Sequence, residues 1–259
     1  MRNLSYVGRT FYSLAIIVIG VLTIYYRDFP YMMIPQKHSW IPGLGVLAPV
    51  FGVLLLLAGA CITFKTNAKS VSLFLGSTLL CIFCFYFIPY QLFVSKNYIV
   101  FGDWENAAKE LTLASGAFVI AGCFAEIVER PILKLLGKLI PLGTTMYSIT
   151  IISYSIDHFL YAKESADYVP SWIPYHLFWL YFTGVALFGS GVAIIFNFKR
   201  GLTATLLGTM IFTWFIILHI PRMVESPLQY LGSEIASACL ALAYSGIALV
   251  IAGMKTNKF

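Results

Sequence analysis

An aspartate and a histidine stand side by side in SIDHFLYA, Ser155 to Ala162, near the end of an apolar run. A carboxyl group beside an imidazole is a pair suited to moving protons near neutral pH, because histidine titrates there. Around Asp157, the residues Tyr147, Thr150, Tyr154 and Tyr161 complete a set spaced by three, four, three and four. That spacing puts all five on one face of a helix. His158 is turned about 100° from Asp157, so the two do not share that face closely. A polar stripe of this kind must face protein or a water-filled cavity, since a carboxylate facing lipid costs several kcal/mol.

Other polar groups converge at the same level. Trp172, His176, His219, Arg222, Glu225 and Glu234 fall at run ends or in connections, as do Asp103, Trp104 and Glu105. The candidate ligand-binding residues are therefore Asp157, His158, His219, Arg222, Tyr154, Tyr161, Trp172 and His176. Asp157, His158, His219 and Arg222 would bind or protonate a ligand, with Tyr154, Tyr161 and Trp172 shaping the wall. A second reading has Asp157 hydrogen-bonded or ion-paired inside the bundle, with Arg222 or His219 as partner, fixing helix packing. A metal centre is disfavoured: His158, His176, His219 and Asp157 are loosely separated, with no i, i+4 pair of ligands.

Cys81-Ile82-Phe83-Cys84 forms a CxxC, but it lies within an apolar run with no nearby cation to activate a thiol. Its thiols read as buried and inert. The five cysteines all fall inside predicted helices, and an odd number there gives no disulfide framework. No Walker motif, GxGxxG, GxSxG or HExxH occurs. No catalytic residue is assigned.

The elements that must hold these groups are membrane helices. Of 259 residues 59% are hydrophobic and 11% charged, against about 25% charged in a soluble domain. Runs long enough to cross a bilayer lie near 8–27, 44–64, 70–90, 108–128, 142–162, 175–197, 201–221 and 233–254, eight candidate spans. The fourth carries Lys109 and Glu110 at its start. The net charge of +6 comes from short basic clusters between runs, which argues for topology signals and against nucleic acid. Counting Lys and Arg on alternate sides, eleven face six, so both termini are expected in the cytoplasm. The first run is longer than a signal-peptide core and no cleavage-type site follows, so it reads as a helix.

The sequence also repeats itself. A shift of 132 residues aligns Trp40-Ile41-Pro42 with Trp172-Ile173-Pro174, Gly52 with Gly184, Gly59 with Gly191, and Ile88-Pro89 with Ile220-Pro221. With small gaps, Tyr12 and Ser13 match Tyr147 and Ser148, and LASG at 113–116 matches LAYSG at 242–246. The expected organisation is all-α: two tandem four-helix bundles in parallel orientation, 1–128 and 142–259, joined by a basic cytoplasmic linker, 129–141. The recurring glycines read as close-packing positions. Counted back by 135, the stripe becomes Tyr12, Ala15, Ile19, Leu22 and Tyr26, so only the second unit has a polar interior.

IDHFLYA, VPSWIPYHLFWLYFTGVALFGSGVAI and LLGTMIFTWFIILHIPRM in the second unit resemble the DoxX family of small four-helix membrane proteins, over roughly 143–254. The first unit looks like a degenerate copy that keeps WIP and the glycines but lacks Asp-His. The resemblance implies an integral protein of the bacterial cytoplasmic membrane, acting as a redox-associated subunit. Its second unit would form an outward-facing pocket for a quinone-like or other small amphipathic ligand. The sequence names no cofactor, though a quinone suits the aromatic content. The bilayer and a membrane redox complex are the expected partners. The rival reading is a non-catalytic assembly or scaffold protein, and a small-molecule transporter comes third.

Overall fold

In the computed structural model the chain is described at residues 2–30, 32, 33, 43–95, 97–126 and 129–254. Trp40-Ile41-Pro42 of the expected repeat, and Lys37, Lys96, Lys255 and Lys258 of the charge count, lie outside the described residues. Among those described the protein is helical, with no strand. Eight long helices order the chain: α1 (Arg2–Tyr26), α2 (Ala48–Phe64), α3 (Ala68–Ile82), α4 (Glu105–Ala121), α5 (Ile140–Leu160), α6 (His176–Ile195), α7 (Arg200–Trp214) and α8 (Ser233–Gly253). Short helices at Pro131–Gly137 and Ala162–Ala166 precede and follow α5.

Seven helices among the described residues are long and apolar enough to cross a membrane. The exception is α4, which the turn at Phe101–Trp104 leads straight into and whose entry end carries Asp103, Glu105, Lys109 and Glu110, too many charges to rank with those seven by composition. It occupies the fourth predicted span but starts and stops earlier than 108–128, because Gly122 and Cys123 turn the chain out of the helix. α4 and α8 form the centre: every residue from Thr112 to Ala121 is buried, and 83% of the apolar stretch of α8 is buried. Their alanines, serines and glycines suit that place, since small side chains let helices approach closely where no water drives burial.

Around this centre, α1 packs on α2 and α8, α4 packs on α3 and α5, α6 packs on α5, and α7 packs on α8. α4 and α8 also touch. The packing thus crosses the boundary between 1–128 and 142–259, because the fourth helix of each half lies against the first helix of the other. The tightest crossing is between α1 and α8. A Cβ on Gly8 would sit 2.3 Å from the Gly246 carbonyl oxygen, and one on Gly246 2.5 Å from that of Gly8.

Backbone features recur at the shift of the sequence pattern. Left-handed residues stand at Lys65 and Asn67 between α2 and α3, and at Asn197 and Lys199 between α6 and α7. Gly43 precedes the first helix pair with φ +77°, and Tyr175 precedes the second with φ +60°. Wide π turns occupy Phe83–Phe87 and Phe215–His219, closed by bonds from the Ile88 N–H to the Phe83 carbonyl and from the Ile220 N–H to the Phe215 carbonyl. Each immediately precedes a proline-containing turn. Proline has no N–H and its ring crowds the carbonyl four residues back, so the preceding turn widens. A proline such as Pro221 can end or kink a helix; here the widened turn lets the helix continue through Ile220–Glu225.

Two cysteine expectations need correction. Cys123 lies in the turn after α4, outside any helix. Cys81 and Cys84 are exposed, because the buried stripe of α3 runs through Ser72, Leu75, Gly76 and Leu79 and leaves them on the outer face.

Candidate functional site

A cavity of about 780 Å³ opens between α4, α5, α6, α7 and α8. On α5 it runs from Ile151 to Tyr161, about 15 Å of helix. Its deep end is apolar, built from Ile151, Leu187, Met210, Ile211 and Leu240. Polar groups crowd the end nearest the connections after α5 and before α4. The stripe on α5 explains this gradient: Tyr154, Asp157 and Tyr161 line the cavity, while Tyr147 is fully buried beneath, its hydroxyl donating to the Tyr244 carbonyl at 2.8 Å.

One wall is formed by α5 and the start of α4. The Tyr161 hydroxyl accepts the Gly102 N–H at 3.0 Å, pinning the loop that enters α4. Lys109 and Glu105 pair at 2.9 Å one turn apart on α4. The Tyr154 hydroxyl shares a 2.8 Å hydrogen bond with that of Tyr244, and the His158 Nδ1 lies 2.7 Å from the Tyr154 carbonyl. The Asp157 Oδ1 is buried with no hydrogen-bond partner.

The facing wall comes from the end of α7 and the start of α8. Arg222 donates to Glu234 from Nε at 2.9 Å and from Nη2 at 2.7 Å, a two-pronged pair. The Arg222 guanidinium also lies 4.6 Å over the Tyr168 ring, which ties the connection after α5 to this wall. The π turn brings both Leu218 and His219 onto the cavity lining, since a widened turn places one extra residue on the inner face. The His219 Nδ1 is buried with no partner.

Six of the eight expected residues meet here: Asp157, His158, His219, Arg222, Tyr154 and Tyr161. Trp172 and His176 do not line the cavity. Trp172 is 70% exposed, because the turn at Pro170 to Ile173 sends Ile173 inward instead. His176, half-buried at the first residue of α6, lies one turn outward of Trp179 and Leu180, which do line it. The proposed pairing of Arg222 with Asp157 is not formed, as Glu234 takes both prongs.

The lining also holds Glu105, Lys109, Trp179, Trp214, Glu234 and Tyr244, which were not on the expected list. Glu105 and Glu234 are among the polar groups that converge in the sequence, Lys109 carried a signal in its i, i+4 spacing from Glu105, and Tyr244 in the tyrosine by which LAYSG exceeds LASG. With Lys109 and Arg222 engaged by carboxylates, the unengaged buried polar atoms on the two walls are Asp157 Oδ1 and His219 Nδ1. Among the described residues no three His, Cys, Asp or Glu side chains gather as metal ligands would.

The first half is filled differently. Ala15, Ile19 and Leu22 occupy the counterparts of Thr150, Tyr154 and Asp157 and are buried, as are Phe29, Met32 and Met33 beyond α1. No protein-family model, curated protein or solved structure matches the chain.

Proposed function

We propose that the protein is a DoxX-like, eight-span membrane protein made of two duplicated four-helix units, whose second unit binds a quinone-like or other small amphipathic ligand as part of a membrane redox system. The recurrence of positive φ, π turns and glycine contacts at one sequence shift supports the duplication. The basic bias supports cytoplasmic termini, with the polar mouth on the opposite face. What carries the ligand reading is the pair Asp157 Oδ1 and His219 Nδ1. Both are buried without a protein partner, one on each wall of a cavity with an apolar floor. Buried polar atoms are normally satisfied, so two left open across one cavity point to a bound molecule that satisfies them.

The test is equilibrium binding of a decyl-tailed benzoquinone to the purified protein in lipid nanodiscs, followed by quenching of tryptophan fluorescence. The D157N/H219A double variant should lose about tenfold or more in affinity, the worth of one or two hydrogen bonds. Unchanged affinity would sink the reading. The scaffold alternative draws on the Arg222–Glu234 pair, which joins α7 to α8 with no ligand. On that reading the same double variant lowers thermal stability and leaves binding untouched.

A further inference from the structure

Between α6 and α7 the cavity is separated from the outer surface by single side chains. A second hollow of about 530 Å³ runs along the outside of these helices, and Trp179, Met210 and Trp214 line both spaces. α6 and α7 are less closely packed than α5 on α6 or α7 on α8, and two indole rings stand in the gap. The outer hollow is walled by Phe178, Phe182 and Ile217 and capped by Trp172 and Tyr175, with Thr213 and the Tyr175 phenol as its side-chain hydroxyls. It continues the exposed apolar face of α6, where Phe182 is 51%, Val185 62% and Phe188 50% exposed. On a membrane helix that face meets acyl chains. The hollow therefore lies between a lipid-facing surface and the polar cavity, at the level where Trp172 and Tyr175 mark the interface.

We infer that the cavity is loaded sideways from the bilayer, and that its ligand is a lipid with a polar ring for a head and a long apolar tail. This rests on the ligand reading above and adds the tail and the route. The head lies between Asp157 and His219; the tail passes between Trp179 and Trp214 and rests on Phe178, Phe182 and Ile217. A ligand dissolved in the membrane then reaches the apolar floor without crossing the charged mouth at Lys109, Glu105, Arg222 and Glu234. Because Trp179, Met210 and Trp214 line both hollows and stand between them, the outer one is assigned to the tail of this occupant.

The experiment compares two probes with the same head, 2,3-dimethoxy-5-methylbenzoquinone with and without a decyl tail. Binding is measured in nanodiscs, with concentrations expressed per lipid so that simple partitioning cancels. Wild-type protein should bind the tailed probe about tenfold more tightly or better, because fixed side chains pack the tail more closely than fluid acyl chains do. F182A/I217A should shrink the preference to about threefold or less while leaving the tailless affinity unchanged. Both positions lie on the lipid-facing groove, and an unchanged melting temperature confirms the fold. Equal binding of the two probes, or a preference that survives F182A/I217A, overturns the sideways route while leaving the cavity reading standing. If neither probe binds, or D157N/H219A binds both as well as wild type, the cavity reading falls and the route with it.

Discussion

Asp157 and His219 are open toward the cavity, whereas Arg222, on the same helix as His219, is held by Glu234 at two points. The difference governs what substitutions do. E234Q weakens the pair and leaves a partly buried guanidinium with a neutral partner, so we expect a loss of about 1–2 kcal/mol, read from thermal unfolding in detergent. A hydrophobic pair, R222M/E234L, should recover most of it. Glu110 is the opposite case: it is fully buried on α4 and neither carboxyl oxygen has a partner. E110M, close in volume and free of polar atoms, should raise stability by about 1–3 kcal/mol; a drop would show that Glu110 has a partner in the working protein. Asp157 was legible in the sequence because a carboxylate in an apolar run at helical spacing has few places to point. The Arg222–Glu234 pair was not, since it joins the ends of two helices across a turn whose path no periodicity records.

At the scale of elements, glycine positions divide by what lies over them. A Cβ on Gly8 would meet backbone of α8, while one on Gly189 of α6 would meet nothing within 4 Å. G8V should therefore cost about 3 kcal/mol or more, or prevent folding, and G189V should be tolerated; yield of monodisperse protein and melting temperature decide it. Hydropathy located seven spans, because about 20 apolar residues in a row have one common use. It served least well for α4, where Lys109 and Glu110 interrupt the run and only burial between other helices explains them. The fate of the helix at Pro221 was also hidden. A proline can end, kink or widen a helix, and the choice depends on which carbonyls the neighbouring turns can satisfy. Here the widening puts His219 on the cavity wall, so the π turn and the candidate site are one feature.

For the whole molecule, the orientation inferred from charge is open to a direct check. In a cysteine-free background, Y98C lies in an exposed connection on the side of the mouth and N67C in the exposed turn between α2 and α3. A membrane-impermeant maleimide should label the first in intact cells and the second only after lysis; the reverse pattern would invert the topology. The exchange of partners between the first four helices and the last four was not legible in the sequence, because a repeat tells which helices are alike and not which ones touch. That exchange bears on how the protein is made. Of these eight helices α1 is translated before the rest and α8 after them, yet Gly8 and Gly246 lie backbone to backbone. The glycine face of α1 therefore waits in lipid while the six helices between are made, and it acquires its native neighbour only once α8 follows them.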